Sequence, residues 1–240
     1  MKFTQLAKRN LKEALTDPLS LGLSIIFPMV LLLVLQTIGA VDDFFNITNL
    51  TPGVVLFGFA MLSLTSGMML AKDRDTGFVN RLLTAPLRAR DFVIGYSLPY
   101  IPVTVLQIIV IYGIGWLLGM EINGNAGMLF LILFVMSVGY IALGMILGTV
   151  FSYKTVSIAW IAVNLLTIFG GAWFPLEIIG GPIQSSMNVL PFAHAIDSTR
   201  DIMLSGAGVG EIAMDILWVT GYTVAFIVLG IFFFKRRMVA

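Results

Sequence analysis

Apolar residues gather in six long runs separated by short polar stretches: Leu19–Ala40, Pro52–Ala71, Phe92–Gly119, Ala126–Val150, Thr155–Phe174 and Ile212–Phe234. About 20 apolar residues carry a helix across a hydrocarbon core about 30 Å thick, and each run is of that order. None alternates between apolar and polar positions as a β-barrel strand does. The pattern predicts an all-α membrane protein, one transmembrane domain over residues 1–240 with six transmembrane helices.

The segments between the runs are patterned too. In residues 1–17, Phe3, Leu6, Ala7, Leu11, Ala14 and Leu15 recur at helical spacing, with Lys8, Arg9, Lys12 and Glu13 on other faces, until Pro18 breaks the pattern. A basic amphipathic helix of this kind is expected in the headgroup plane, where it would at least anchor the first span. In residues 72–91, Phe78, Val79, Leu82 and Leu83 form an apolar stripe, with Asn80, Arg81 and Thr84 on other faces. Asp73 and Asp75 stand ahead of this short helix, where their charge suits its positive end, and Pro86 stops it. Gly77 admits a close neighbour or simply fits a turn. Residues 175–211 are rich in apolar residues yet carry Pro175, Pro182 and Pro191 with Gly180 and Gly181. Irregular backbone at membrane depth survives only under cover of protein or water, so a re-entrant or interfacial helical element is expected there. Within it Phe192, Ile196, Thr199 and Met203 share a stripe.

Charge sets the topology. Only 11% of the 240 residues are charged against 58% hydrophobic, and the mean hydropathy is +0.98; soluble domains carry roughly 25% charged residues. If the connections alternate sides, one side collects Lys2, Lys8, Arg9, Lys12, the five basic residues of 72–91, Lys154 and Lys235–Arg237, thirteen of the fourteen basic residues. The other side holds Arg200 among Asp42, Asp43, Glu121, Glu177, Asp197, Asp201 and Glu211. Cytoplasmic N- and C-termini follow. The first run is span-length and preceded by a polar segment, so no cleavable signal is expected. The net charge of +1 reflects topology, not nucleic-acid binding. Asn46-Ile47-Thr48 is a formal glycosylation acceptor of little weight. Gly139, Gly144 and Gly148 make a small-residue face suited to close helix packing.

Much chemistry is missing. No Asp, Glu, Lys, Arg or His lies at mid-depth in the six runs, Asp215 being near an end; this argues against proton-coupled transport, though not against sodium coupling through carbonyls and hydroxyls. No Ser/His or Asp/Asp pair suits intramembrane proteolysis. The lone His194 reads as a local hydrogen-bonding residue, and with no cysteine a disulfide, thiol catalysis or Cys-based metal site is excluded. No catalytic or metal site is expected. "GTVFSYKT" has Tyr153 where a phosphate-binding loop needs its second glycine, and it follows a hydrophobic helix instead of a strand. If the chain pumps anything, another subunit hydrolyses the nucleotide.

"DRDTGFVNRLLTAPLRARDFVIG" resembles the cytoplasmic signature of the ABC-2 family of transporter permeases: acidic residues four and two before a glycine, a Leu-Leu pair, a proline, and a glycine at the start of span three. Asp73, Asp75, Gly77, Leu82, Leu83, Pro86 and Gly95 occupy those places, with Asp where the family more often has Glu. "PFAHAIDSTRDIMLSG" is similar to the family's outer segment through Pro191, Asp197, Arg200 and Gly206. The resemblance covers essentially the whole chain.

It implies a membrane subunit that pairs with a second permease, a homodimer being the simplest case, and sits on two ATP-binding cassette subunits. Those partners would bind ATP and Mg; the chain itself would hold no cofactor. Asp73, Asp75, Gly77, Phe78, Leu82, Leu83 and Pro86 would form the ATPase-coupling segment. By the same resemblance the substrate path, between spans one, two and five of the two halves, would offer Gln36, Thr37, Ser63, Thr65, Ser66, Asn164 and Thr167, with Phe169, Trp173 and Phe174 near the outer end. Each of these equally serves helix packing. A prokaryotic plasma-membrane exporter of amphipathic, drug-like, lipid-linked or saccharide compounds is the implied function. A non-pumping recruitment factor and an ion-coupled secondary transporter are the competing readings, and neither requires a bound ATPase.

Overall fold

The computed structural model describes residues 2–37, 46–84, 88–173 and 176–239. Among them every regular element is helical. Helix α1 is Lys2–Thr16. Asp17 then caps the next helix, its carboxylate accepting from the backbone N–H of Leu19 and Ser20, and Pro18 takes the first helical position, where its missing N–H costs nothing. Helix α2, Pro18–Gln36, is interrupted by a π-helical turn over Gly22–Ile26. The next helices are α3, Ile47–Asp75, and α4, Phe78–Leu83. Then come α5, Ala89–Ser97, and α6, Tyr100–Leu117, which together make one span with a break at Leu98–Pro99. Helix α7 is Ala126–Val150 and α8 is Val156–Ala172. Leu176–Ile179, Gly181–Met187 and Pro191–Leu204 are α9, α10 and α11; Ala213–Phe234 is α12.

Five of these helical stretches are long and apolar enough to cross a membrane: Pro18–Gln36, Ile47–Asp75, Ala89–Leu117, Ala126–Val150 and Ala213–Met238. The fifth apolar run behaves differently from its expectation. It yields the shorter helix Val156–Ala172, about 25 Å long at 1.5 Å per residue, which ends where Gly171 turns to φ 100°. Three short helices follow in place of a simple loop. Phe174 and Pro175 lie outside the described residues.

Helix α3 is the hub. Nearly all its residues from Ile47 to Ala71 are buried, because it is surrounded by α2, α6, α7, α8 and α11. Its approach to α7 is close. A Cβ on Gly148 would collide with the carbonyl oxygen of Gly67 and lie 3.1 Å from its carbonyl carbon, and one on Gly144 would collide with Ser63 and Ser66. The small-residue face read from Gly139, Gly144 and Gly148 is thus a backbone-to-backbone crossing, with Gly139 against Thr223 of α12. The outward faces of α2 and α12 stay apolar, with Val30, Val34, Leu217, Val224, Val228 and Phe232 exposed, as a surface against lipid or another subunit requires.

One expectation about the polar segments needs correcting. The second run was expected to begin at Pro52 and end at Ala71; instead α3 starts on the Asn46 cap and runs through Lys72–Asp75, so that Asp73 and Asp75 do stand ahead of α4 but in the last turn of α3. Nothing in that tetrapeptide breaks a helix; the break comes at Gly77, whose φ of 73° is a left-handed conformation that glycine adopts freely. No neighbour lies within 4 Å of a Cβ built there, so Gly77 serves the turn, not a close contact. On α1, Leu6, Ala7 and Ala14 are buried against protein, Leu15 is exposed, and Leu6 packs on Gly95. The side chain of Phe3 lies outside the described residues.

Candidate functional site

The end of the bundle that carries the basic residues is held by a buried carboxylate. Asp73, 3% exposed, receives both guanidinium nitrogens of Arg9, the Nη2–Oδ1 bond being 3.1 Å, and a 2.7 Å hydrogen bond from Tyr96 Oη. Asn10, fully buried in the middle of the α1 stripe, donates to the Gly95 carbonyl at 3.2 Å. Arg9 also reaches Glu13 at 3.0 Å and lies 4.4 Å from the centroid of the Phe78 ring, within cation–π range. Its pKa is pushed up chiefly by the hydrogen bond to Asp73, which outweighs desolvation, so the guanidinium stays charged. Four elements meet here: α1, the end of α3, α4 and α5.

The neighbouring residues tie α3 to α7. Arg74 donates to the carbonyls of Gly148 at 3.2 Å, Phe151 at 2.8 Å and Thr149, while Arg237 donates to Val150 at 2.9 Å. These are the orphan carbonyls at a helix C-terminus, where partial negative charge collects. Asp75 accepts from the backbone N–H of Tyr153 at 2.9 Å. The "GTVFSYKT" stretch is therefore the end of α7 and its turn, held from outside.

Helix α4 rests on this base. Val79 is fully buried, Phe78, Leu82 and Leu83 are half-buried, and Asn80, Arg81 and Thr84 are exposed. The stripe faces the protein, so the surface open to a partner is the polar one with Arg81 at its centre. Pro86 lies outside the described residues. Asp73, Asp75, Gly77, Phe78, Leu82 and Leu83 are all gathered at this end. Sequence reasoning missed Arg9 as the partner of Asp73, and Asn10 and Tyr96 altogether. Asn10 left one trace, a polar residue within the apolar face marked by Leu6, Ala7 and Ala14.

The residues assigned to a substrate path fall on or next to α2, α3 and α8. Thr37 bonds back to Val34 O at 2.6 Å beside half-buried Gln36. Thr65, Ser63 and Ser66 are buried and bond back to Leu62, Ala60 and Ser63 of their own helix. Thr167 is buried against Tyr140 Oη at 2.6 Å. Asn164 is half-buried, Phe169 is exposed, and Trp173 meets Phe57 edge-on at 5.4 Å.

At the opposite end, Pro191 opens α11 and Gly206, at φ 72°, closes it beside the Asn123 carbonyl. Arg200 donates to Asn49 O of α3 at 3.2 Å, and Asp197 is exposed on the same helix. His194 bonds on both sides, to Asp215 at 2.6 Å and to the Asn188 carbonyl at 2.9 Å, and stacks on Trp218. Partial desolvation, with Asp215 and Glu211 nearby, raises the pKa of the exposed Asp201 carboxyl. A carboxyl raised in the folded state costs stability once ionised, and that cost is relieved as pH falls through its folded pKa. Asp201→Asn is therefore expected to raise the thermal midpoint at pH 7, the gain shrinking as the pH is lowered toward the carboxylate range. Thermal unfolding of both proteins across pH checks this. Among the described residues no cluster of three or more His, Cys, Asp or Glu could hold a metal ion.

Several known proteins are similar to this sequence. "ABC transporter G family member 20" of Dictyostelium discoideum is 32% identical over 175 residues, 66% of this chain and 22% of that protein. A chain named as a transport permease, ycf38, in Pyropia yezoensis is 31% identical over 156 residues, 63% of this chain and 54% of its own length. A chain named as a multidrug ABC transporter permease, YbhR, in Escherichia coli (strain K12) is 21% identical over 158 residues, 65% of this chain and 42% of its own. The chain thus matches about half, or less, of each relative's length. The family described as ABC-2 type transporter matches residues 1–204. With that match over most of the chain, and five helices able to cross a membrane, the protein belongs to the ABC-2 type transporter family of membrane permeases.

Proposed function

We propose that this chain is the membrane subunit of an ATP-driven exporter and that a separate ATP-binding cassette subunit, which binds ATP and Mg, docks on α4. The observation that carries the reading is the mounting of α4. It is a short helix with an exposed polar face, seated on a junction that ties α1, α3 and α5 through Asp73 and α7 through Arg74 and Asp75. A push on α4 is thereby passed to several spans at once, as alternating access requires. In this reading Val156–Ala172 and the short helices after it complete a six-span topology with α9–α11 as the outer re-entrant segment. Both termini face the cytoplasm of a prokaryotic cell, and two copies form the transporter. The relative named as a multidrug ABC transporter permease supports a drug-like cargo.

The test is a pull-down of tagged chain from native membranes in mild detergent, with co-purifying proteins identified by mass spectrometry. A near-equimolar cassette ATPase is expected with the wild type. Arg81→Glu, on the exposed face, is expected to lose it while the permease stays inserted and folded. Leu82→Asp, on the seated face, and Gly77→Leu, strained at positive φ, are expected to lose both ATPase and export. Normal export by all three variants would refute α4 as the docking element.

A further inference from the structure

Four buried polar atoms that find no hydrogen-bond partner among the described residues fall on two neighbouring helices: Ser20 Oγ and Ser24 Oγ on α2, Thr104 Oγ1 and Gln107 Oε1 on α6. None of these residues is more than 2% exposed. The Gln107 amide nitrogen is spent on Val55 O at 3.1 Å, so its oxygen is the unmatched half. Unmet polar groups in an apolar setting carry their full desolvation cost, and four of them would consume much of a domain's net stability.

Their register places them in one seam. Helices α2 and α6 each begin at the basic end and run away from it. The Tyr100 hydroxyl donates to Met69 Sδ at 3.9 Å, Leu19 beside Ser20 shares a cavity wall with Tyr100, and Gln107 and Pro28 converge on Gly58. One turn beyond the first contact and one before the second, Ser24 lies level with Thr104, since residues four apart share a helix face. The backbone agrees. Pro28 has no N–H for the Ser24 carbonyl, and the helix widens into the π turn of Gly22–Ile26, with Phe27 N–H bonding to Gly22 O.

A cavity of about 350 Å³ opens beside the seam at the basic end. Its wall includes Tyr100, Thr65, Leu19 and Met69, and its rim carries Glu13 paired with Lys72 at 3.1 Å. Tyr100 belongs to both cavity and seam. We propose that the seam between α2 and α6 is hydrated: water enters from this cavity and supplies the partners that Ser20, Ser24, Thr104 and Gln107 lack. An aqueous crevice then reaches about two helical turns, on the order of 10 Å, into the apolar bundle. Water suits the site because the hydroxyls need both a donor and an acceptor, the Gln107 oxygen needs a donor, and no ionised group lies in the seam to balance an ion. The crevice lets the bulged part of α2 slide on α6 without baring its polar groups to hydrocarbon.

The absence of cysteine from the chain makes the test direct. Ser24→Cys and Thr104→Cys are made singly, with Leu32→Cys and Ile111→Cys as controls. The controls lie on the same two helices, farther from the cavity, and are equally buried. Each protein, in lipid nanodiscs, is exposed to a small water-soluble methanethiosulfonate, which attacks only hydrated, ionisable thiols. Cysteines at 24 and 104 are expected to react at least about tenfold faster than those at 32 and 111. Adding Thr104→Val to Ser24→Cys is expected to slow that reaction by a similar factor. Equal rates at all four positions, or indifference to Thr104→Val, overturns the hydrated seam. Global unfolding would speed the controls as well and cannot imitate the expected pattern.

Discussion

Gly148→Val is expected to prevent the native crossing of α3 and α7 and to lower the stability of the detergent-solubilised protein by about 3 kcal/mol or more. The physical reason is that the obstacle is backbone. The carbonyl of Gly67 occupies the space any Cβ at 148 would need, and a carbonyl within a buried helix cannot rotate away as a side chain does. Relief requires the two helices to part, which unpacks Gly144 from Ser63 and Ser66 one turn away. Gly113→Val is the matched control, because nothing lies within 4 Å of a Cβ there and valine is the better helix former by a few tenths of a kcal/mol. Chemical or thermal denaturation of both variants measures the difference. A Gly148→Val protein as stable as Gly113→Val would mean that the crossing is not as close as described.

Arg9→Met should loosen the basic end without disturbing the crossing. It leaves the Asp73 carboxylate buried with Tyr96 as its remaining side-chain partner, and stripping one partner from a buried pair costs about 3–5 kcal/mol in a dry site. The Arg9 side chain is 39% exposed, so water screens part of the interaction and about 2 kcal/mol is the expected loss. Asp73→Asn in the same protein removes the orphaned charge and should restore part of that loss. The double-mutant cycle isolates the pair. The functional readout should follow: α1 is released from α5, and limited proteolysis is expected to cleave within residues 1–17 sooner in Arg9→Met than in the wild type. An additive cycle would show that Arg9 and Asp73 do not act as a pair.

Much of the candidate site was legible because each residue type announces a local need. The Gly77 turn, the stripe of α4 and the acidic pair are features of a dozen consecutive residues, and they were readable in one pass. What the acids bond to was not. Asp73 finds Arg9 sixty-four residues away and Tyr96 twenty-three away, and no periodicity within 72–91 points to either. The same limit applies to the α1 stripe. An amphipathic face states that something apolar covers it, and lipid and protein meet that requirement equally well. That Gly95 is small enough to seat Leu6 is not displayed by the periodicity of α1.

By itself the sequence determined the quantities that are sums along the chain. Run length against bilayer thickness called for membrane-crossing helices, the placement of thirteen basic residues favoured one orientation, and the lack of ionisable groups at mid-depth argued against proton coupling and intramembrane catalysis. The family was also readable from two short signatures. Only the tertiary structure decided how the helices use their polar atoms. In hydrocarbon those atoms must find partners inside the protein, and a partner is chosen by distance in space, which the order of residues does not reveal. Hence Asp73 became the fastening of four elements and Arg74 the cap of α7. Thr167 turned inward to Tyr140, and Ser20, Ser24, Thr104 and Gln107 were left with polar atoms unmatched among the described residues, on two neighbouring helices that no stretch of the sequence brings together.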